Sequence, residues 1–276
     1  MNRIGPGGFS ILPPVVKNLL IINGLLFLGT FVFESNFGIS LIRILGLHFF
    51  ESEFFQPFQL VTHMFMHGGM LHIFSNMFAL WMFGSTLENV WGPKRFLFFY
   101  FFTGLGAAAL HMGVTAYSLY SLQNAVEMYI QDPSFLAFRE LVQSHSTGMM
   151  RGSVNQFLAN WSMQPDNTAY IQRSVSLAQE LYSANVNIPT VGASGAVFGI
   201  LLGFGMLFPN TRLFLLFPPI PIKAKYFVIF YGLFELYAGF SSFSGGSNIA
   251  HFAHLGGMLF GFILIKYWNK SSRNFF

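Results

Sequence analysis

A serine and a histidine lie inside two strongly apolar stretches of the chain, where both residue types are unexpected. Ser194 stands near the start of a run that continues to Leu207, and His254 lies within another run, 249–268. An ionisable side chain inside a membrane span is costly and is by default a functional-site candidate. Serine becomes a nucleophile when an adjacent base takes its proton, and the near-neutral pKa of histidine suits that task. We therefore predict that Ser194 is a nucleophile and that His254 is its general base.

Two further polar residues, His72 and Asn76, are spaced so that they share one face of a helix. Both side chains can donate hydrogen bonds, and two donors on one face could stabilise an oxyanion that develops during acyl transfer. The alternative is that they bond to neighbouring helices, as Asn and His do in membrane bundles. On this pair alone, the two interpretations stay equally open.

A metal site is a third interpretation of the histidines. His63, His67 and His72 could offer three imidazoles with an open fourth position, which would suit catalytic zinc. No H-E-x-x-H motif accompanies them, and no acid lies at helical spacing from them. Hydrogen-bonded histidines in a loop before a helix are the favoured alternative, so we predict no metal site and no cofactor.

Glycines recur every four residues in the two apolar runs, at Gly195, Gly199 and Gly203 and at Gly257 and Gly261. Such stripes let membrane helices approach closely, and helix packing explains either stripe alone. Together they predict one tight crossing that places Ser194 beside His254. Glu235 is an acid within a predicted span, and the sequence assigns it no role.

The composition indicates an integral membrane protein. Of 276 residues, 53% are hydrophobic and 9% are charged, whereas soluble domains have about 25% charged residues. A spanning helix needs roughly 20 mostly apolar residues. Six spans are predicted, at residues 15–33, 71–88, 96–117, 189–208, 225–240 and 249–268. The first is expected to be retained, because no small-x-small cleavage site follows it.

Charge placement predicts the orientation of the spans. With the N-terminus in the cytoplasm, the inner segments carry 10 of the 14 basic residues and the outer segments carry 4. The positive-inside rule then favours both termini in the cytoplasm, and the expected location is a bacterial inner (plasma) membrane. A nucleic-acid partner is excluded, because no segment combines a basic cluster with exposed aromatic residues. The absence of cysteine excludes disulfides and thiolate ligands.

Three connections complete the predicted architecture, an all-α membrane protein of six transmembrane helices. Residues 34–70 are aromatic but carry charges, which is typical of an amphipathic element at the membrane interface. Residues 118–188 are more polar and predict a helical insertion on the outer face, between the third and fourth spans. Residues 209–225 contain four prolines and predict an irregular inner loop. The chain 1–276 is predicted to be a single domain that contains this insertion.

The combined motifs resemble the rhomboid family of intramembrane serine proteases. The resemblance is carried by H-x-x-x-N in the second span, G-x-S-G at the start of the fourth, and A-H-x-x-G-x-x-x-G in the sixth. In this chain these residues are His72 and Asn76, then Gly192, Ser194 and Gly195, then His254, Gly257 and Gly261. Because the motifs occur in the family's order along the chain, they imply a six-helix rhomboid-like bundle.

The resemblance also implies roles for these residues. Ser194 is similar to the family's nucleophile and His254 to its general base, while His72, Asn76 and the Ser194 backbone N–H are similar to its oxyanion hole. Family members cleave transmembrane or juxtamembrane segments of other membrane proteins without a cofactor. The expected partners are therefore transmembrane protein substrates and the lipid bilayer. The first outer loop resembles a membrane-dipping loop, and the fifth span resembles a substrate gate.

The chain departs from the family pattern in three places. Phe58-Gln59 stands where many members have Trp-Arg, Phe198 stands where the residue is often Tyr, and the 118–188 insertion is absent from compact members. A non-catalytic relative that binds membrane proteins is the alternative function, although such relatives lack the serine or the histidine. A transporter or metal channel is a third possibility, and it would predict paired acids within the spans.

Overall fold

The computed structural model describes residues 9–145, 148–164, 167–214, 220–242 and 249–273. It is mostly helical. The helices are α1 (Pro14–Phe37), α2 (Leu41–Leu45), α3 (Gln59–Thr62), α4 (Met70–Ala79), α5 (Ser85–Trp91), α6 (Pro93–Gln131), α7 (Phe135–His145), α8 (Gly148–Ser162), α9 (Thr168–Val186), α10 (Ser194–Leu207), α11 (Ala224–Ser242) and α12 (Ile249–Arg273). A 3-10 turn, His63–Phe65, follows α3, and a π-helical turn, Leu80–Gly84, joins α4 to α5.

The helices coincide with the six apolar stretches of the sequence: α1, the α4–α5 pair, α6, α10, α11 and α12. Within the described residues, two helices are long and apolar enough to cross a bilayer, α1 with a mean hydropathy of 1.9 and α6 with 1.5. Helix α10 is apolar but has only 14 residues, because residues 189–193 precede it as non-helical chain. The count of six crossings stays a prediction.

Helix α6 continues well past the predicted end of the third span at residue 117. It has 39 residues, which at 1.5 Å per residue is about 58 Å and nearly twice the thickness of the hydrocarbon core. No glycine or proline interrupts residues 114–131, and the helix ends just before Asp132-Pro133. The predicted insertion therefore begins inside a continuous helix.

The second half of α6 packs with α7, α8 and α9 around a hydrophobic core of its own. Trp161 and Phe138 are almost completely buried there, with ring centroids 5.9 Å apart. The other buried members are Leu122, Val126, Tyr129, Leu141, Val142, Val154, Ala178 and Leu181. Burial of this apolar surface supplies the main stabilising free energy of the four-helix unit.

The main core surrounds α10, which packs against both α6 and α12, and these two helices also contact each other directly. Its largest buried side chains include Leu80, Phe96, Phe99, Tyr100 and Ile200. In contrast, many large apolar side chains on α1 and α11 are exposed, among them Leu25, Leu28, Phe230 and Leu233. Exposed apolar surface of this extent is typical of contact with lipid or with another protein.

A buried carboxylate anchors the start of α1 to α5. Glu88, only 2% exposed, accepts hydrogen bonds from the backbone N–H groups of Val15 (2.9 Å) and Val16 (2.8 Å). These N–H groups have no partner within the helix, and a negative charge is favourable at a helix N-terminus. Glu88 therefore has a structural role at the end of the bundle where α1 begins.

The prediction of an irregular loop over 209–225 is wrong for part of that segment. Two short strands, β1 (Arg212–Phe214) and β2 (Pro221–Lys223), pair antiparallel, with Phe214 opposite Pro221. Pro221 is the first residue of β2, a position where its missing N–H costs no ladder hydrogen bond. The prolines at 218 and 219 lie outside the described residues.

Candidate active site

Backbone hydrogen bonds fix the approach to Ser194, the first residue of α10. Thr190 exchanges two hydrogen bonds with Leu47, at 2.8 and 2.9 Å, and the Gly192 N–H donates to the His63 carbonyl at 2.9 Å. Gly192 has φ 130°, a conformation that glycine adopts far more easily than other residues. The loop 34–70 thus holds the turn that presents Ser194 at the helix start.

That loop is itself organised by Gln59, one of the residues that departs from the family pattern. Its Oε1 accepts from the backbone N–H groups of His48 (3.2 Å) and Gln56 (3.1 Å). Its Nε2 donates to the carbonyls of Ile44 (3.1 Å) and Phe54 (2.9 Å). The buried amide thereby satisfies both its donor and its acceptor atoms.

His72 lies next to the same turn. A Cβ atom on Gly192 would stand 2.8 Å from His72 Nε2 and 3.6 Å from Ser194 Oγ, so the His72 and Ser194 side chains flank one point. The Gly68 N–H donates to His72 Nδ1 over 3.5 Å. This contact favours the tautomer that carries hydrogen on Nε2. Nε2 is then a donor that faces the turn.

Asn76 lies one turn further along α4. It is 5% exposed, and its buried Nδ2 has no hydrogen-bond partner in the described part of the chain. A buried donor left unpaired costs about 1–3 kcal/mol, so such groups in native proteins are exceptions that need an explanation. Asn76 Nδ2 and His72 Nε2 are therefore two donors on α4 that could each bind a further acceptor.

His63 and His67, the two other histidines of the metal hypothesis, lie in the loop 34–70, which also contains His48. His63 Nδ1 bonds to the Gln59 carbonyl at 2.8 Å, and the His67 ring packs edge-on against His72 with centroids 5.0 Å apart. Burial lowers the pKa of His63 to about 4 and that of His67 to about 4. Both rings are therefore neutral at pH 7, and the loop adds no positive charge beside His72.

Helices α10 and α12 touch through their backbones. A Cβ atom on Gly257 would overlap the carbonyl of Gly195, and one on Gly261 would lie 3.3 Å from the Cα and carbonyl oxygen of Gly199. The Cβ positions of Gly195 and Gly199 point instead at Ala107 and Thr103 of α6. The glycines of α12 therefore set its separation from α10, and those of α10 set the separation from α6. Gly203 lies away from this crossing, against Leu87, Phe99 and Trp91.

Gly257→Val is expected to lower both thermal stability and turnover. The branched side chain would push α12 away from α10, and a displacement of about 1 Å can cost 10²-fold in rate. Melting temperature and cleavage rate of the purified variant measure the two effects. Gly24→Val in α1, where nothing lies within 4 Å of the added Cβ, is the control. A stable and fully active Gly257→Val protein would show that this crossing does not position the site.

His254 is held by stacking. Its ring lies parallel to Phe198, with centroids 4.0 Å apart and planes at 6°, and Phe198 stacks in turn on Tyr231 at 5.2 Å. Phe198 follows Ser194 by one helical turn. No hydrogen bond joins Ser194 to His254 in the part of the chain that the structure describes, and such bonds often tighten only when substrate binds.

Glu235 belongs to this site, although the sequence assigned it no role. Its carboxylate is only 3% exposed. Oε2 lies 2.5 Å from His251 Nδ1 and 3.1 Å from His254 Nδ1, the second contact being an ion-pair distance without hydrogen-bond alignment. The sequence feature that could have pointed to Glu235 is the presence of an acidic residue within an apolar helix. Its partners, three residues apart on another helix, could not be inferred from α11 alone.

This cluster has the geometry of a hydrogen-bonded pair rather than of a metal site. Donor atoms of Glu235, His251 and His254 lie within 4.8 Å of one another. However, two ligands of one tetrahedral zinc ion stand about 3.4 Å apart, given bonds of roughly 2.0–2.2 Å. The 2.5 Å between His251 Nδ1 and Glu235 Oε2 is shorter than this and fits a charge-assisted hydrogen bond.

Comparisons with known proteins show which family the chain resembles. The Rhomboid domain model matches residues 55–138 and 145–270. RHOMBOID-like protein 12, mitochondrial, of Arabidopsis thaliana is 26% identical over 245 residues, which are 88% of this chain and 55% of the relative. RHOMBOID-like protein 6, mitochondrial, of the same plant is 25% identical over 154 residues, 54% of this chain and 42% of the relative. The chain spans about half the length of the curated relatives it matches.

The domain match includes every helix that contributes to the site, from α4 to α12, and it covers both Ser194 and His254. It covers most of the chain, so the resemblance of the sequence motifs is confirmed at the level of the family. This protein is an integral membrane protein that belongs to the rhomboid family.

Proposed function

We propose that this protein is an intramembrane serine endopeptidase in which Ser194 is the nucleophile and His254 the general base. One observation carries the proposal. The crossing of α10 and α12 at Gly195 and Gly257 brings the start of α10 against the segment that contains His254. Proximity between a serine and a histidine is the minimum that such chemistry requires.

In the proposed reaction, Ser194 Oγ attacks the scissile carbonyl carbon and passes its proton to His254. The new oxyanion accepts hydrogen bonds from Asn76 Nδ2, His72 Nε2 and the Ser194 N–H. The C–N bond then breaks, and the amine leaves with the proton from His254. A water molecule, deprotonated by His254, hydrolyses the Ser194 ester and releases the carboxylic acid. No cofactor takes part in any step.

The unpaired donor of Asn76 gives a direct prediction. Asn76→Ala is expected to lower turnover by roughly 10²–10³-fold, because one donor to the oxyanion is lost. Unchanged turnover in a His72/Asn76 double alanine variant would contradict the oxyanion assignment. The matched control is Ser75→Ala on the exposed side of α4, whose hydroxyl bonds to its own helix at Leu71. Cleavage rates of the purified variants decide between the outcomes.

The proposed substrates are transmembrane or juxtamembrane segments of other membrane proteins. Support comes from the apolar side chains exposed on α4 and α11, such as Phe74 and Phe230, which a substrate helix could contact. We also propose six membrane crossings with both termini in the cytoplasm, because this orientation places 10 of the 14 basic residues on the inner side. A bacterial inner membrane stays a prediction, and the two relatives named above are mitochondrial plant proteins.

Cleavage of a panel of single-span proteins tests the proposed function. Wild type and Ser194→Ala are each reconstituted into liposomes with the same substrates, and the products are identified by mass spectrometry. We expect wild type to cut at least one substrate within or next to its span, and Ser194→Ala to cut none. Stable binding of substrates without any cleavage by wild type would instead favour a non-catalytic rhomboid-like binding factor.

A further inference from the structure

The carboxylate of Glu235 has no structural contact of the kind that explains Glu88. Glu88 caps a helix through backbone N–H groups, whereas the recorded partners of the Glu235 carboxylate are two histidine side chains of α12. Both carboxylates are almost fully buried. A buried charge is costly unless it is paired and hydrogen-bonded. The pairing of Glu235 is therefore what needs an explanation.

Both contacts converge on one oxygen and involve the same type of nitrogen. Oε2 takes the His251 Nδ1 hydrogen bond at 2.5 Å and lies 3.1 Å from His254 Nδ1. A contact at Nδ1 leaves Nε2, on the other side of the imidazole ring, available for Ser194. His251, which lies one turn before His254, holds the carboxylate in place.

Two restraints therefore act on the His254 ring. Stacking on Phe198 fixes the plane of the ring, with 6° between the two planes. The Glu235 carboxylate, 3.1 Å from Nδ1, restrains how the ring is rotated within that plane, because it attracts that edge of the imidazole. A general base that is oriented by a third group is the general arrangement of activated serine nucleophiles.

We propose that Glu235 is a positioning residue for His254, anchored by His251, so that α11 contributes to a Ser194–His254–Glu235 arrangement. The proposal rests on the proposed function. It also links the base to α11, the helix that resembles the family's substrate gate. A shift of α11 would move the carboxylate away from the imidazole.

The charge of Glu235 gives the proposal a measurable consequence. A neighbouring carboxylate stabilises the imidazolium form of a histidine. The other titratable groups that face His254 or Glu235 are His251 on α12, Tyr231 on α11 and His72 on α4. Removal of the Glu235 charge should therefore favour the neutral, basic form of His254, and the variant keeps all three of these groups in place.

The test compares four full-length proteins in liposomes from pH 5 to 8: wild type, Glu235→Gln, Glu235→Asp and Glu88→Gln. Glu235→Gln is expected to lower kcat by about 10²-fold, the loss typical of a misplaced catalytic group, with little change in KM. The acid limb of its pH–rate profile should move to lower pH, because a neighbouring carboxylate favours the charged imidazole. Glu235→Asp should keep the acid limb of the wild-type pH–rate profile and recover part of kcat. Glu88→Gln, the matched buried carboxylate, should melt earlier but keep the wild-type limb.

A Glu235→Gln protein with wild-type kcat and an unmoved acid limb would overturn the proposal. An equal shift in Glu88→Gln would also overturn it, because the effect would then be one of stability. The proposed function fails separately, if wild type cleaves nothing and Ser194 does not react with a serine-directed phosphonate. If cleavage depends on Ser194 while Glu235→Gln is unaffected, only the positioning role is wrong.

Discussion

Ser194→Ala is expected to abolish proteolysis while the protein stays folded. Loss of the nucleophile costs on the order of 10⁶ in turnover in well-studied serine hydrolases. Stability should hardly change, because the Ser194 hydroxyl does not cap α10. The N-cap position belongs to Ala193, and no side-chain hydrogen bond caps this helix. Initial cleavage rates and melting temperatures of the purified proteins measure both expectations.

Ser85→Ala is the matched control for this substitution. Ser85 is a buried serine on α5 whose hydroxyl has no hydrogen-bond partner among the described residues, and it lies outside the proposed site. The control should cleave at the wild-type rate. Cleavage by Ser194→Ala at even a tenth of that rate would show that another group is the nucleophile.

His254→Ala should be about as inactive as Ser194→Ala, because a serine without its base is not activated. Wild-type activity should rise from acid toward neutral pH as the imidazole loses its proton. His145→Ala in α7 is the control and should leave cleavage unchanged. A flat wild-type profile from about pH 5 to 8 would count against His254 as the base, and activity that survives a chelator would exclude metal-dependent hydrolysis.

Much of the helical fold could be predicted from the sequence, because apolar runs of sufficient length coincide with the helices that surround α10. The continuation of α6 to Gln131 could not be predicted from hydropathy. Residues 118–131 are too polar to be read as a span, yet they contain no helix breaker. Hydropathy therefore predicts where a span leaves the membrane, whereas glycine and proline predict where the helix ends.

The motifs located the residues of the candidate site better than they located its contacts. Phe198 could be expected to lie beside His254, because it follows Ser194 by one turn of α10 and the family often has an aromatic residue there. The stacking of Tyr231 and the pairing of Glu235 depend on how α11 docks against α10 and α12. Such tertiary contacts leave no periodic signal within one helix.

Reaction of the folded protein with a serine-directed phosphonate tests the central claim most directly, because it requires no knowledge of the natural substrate. Wild type, Ser194→Ala and His254→Ala are labelled in liposomes at pH 7, and the modified peptide is identified by mass spectrometry. The account predicts one adduct on Ser194 of wild type, none in Ser194→Ala, and much slower labelling in His254→Ala. An unlabelled Ser194 in folded wild type, or equal labelling in His254→Ala, would contradict it.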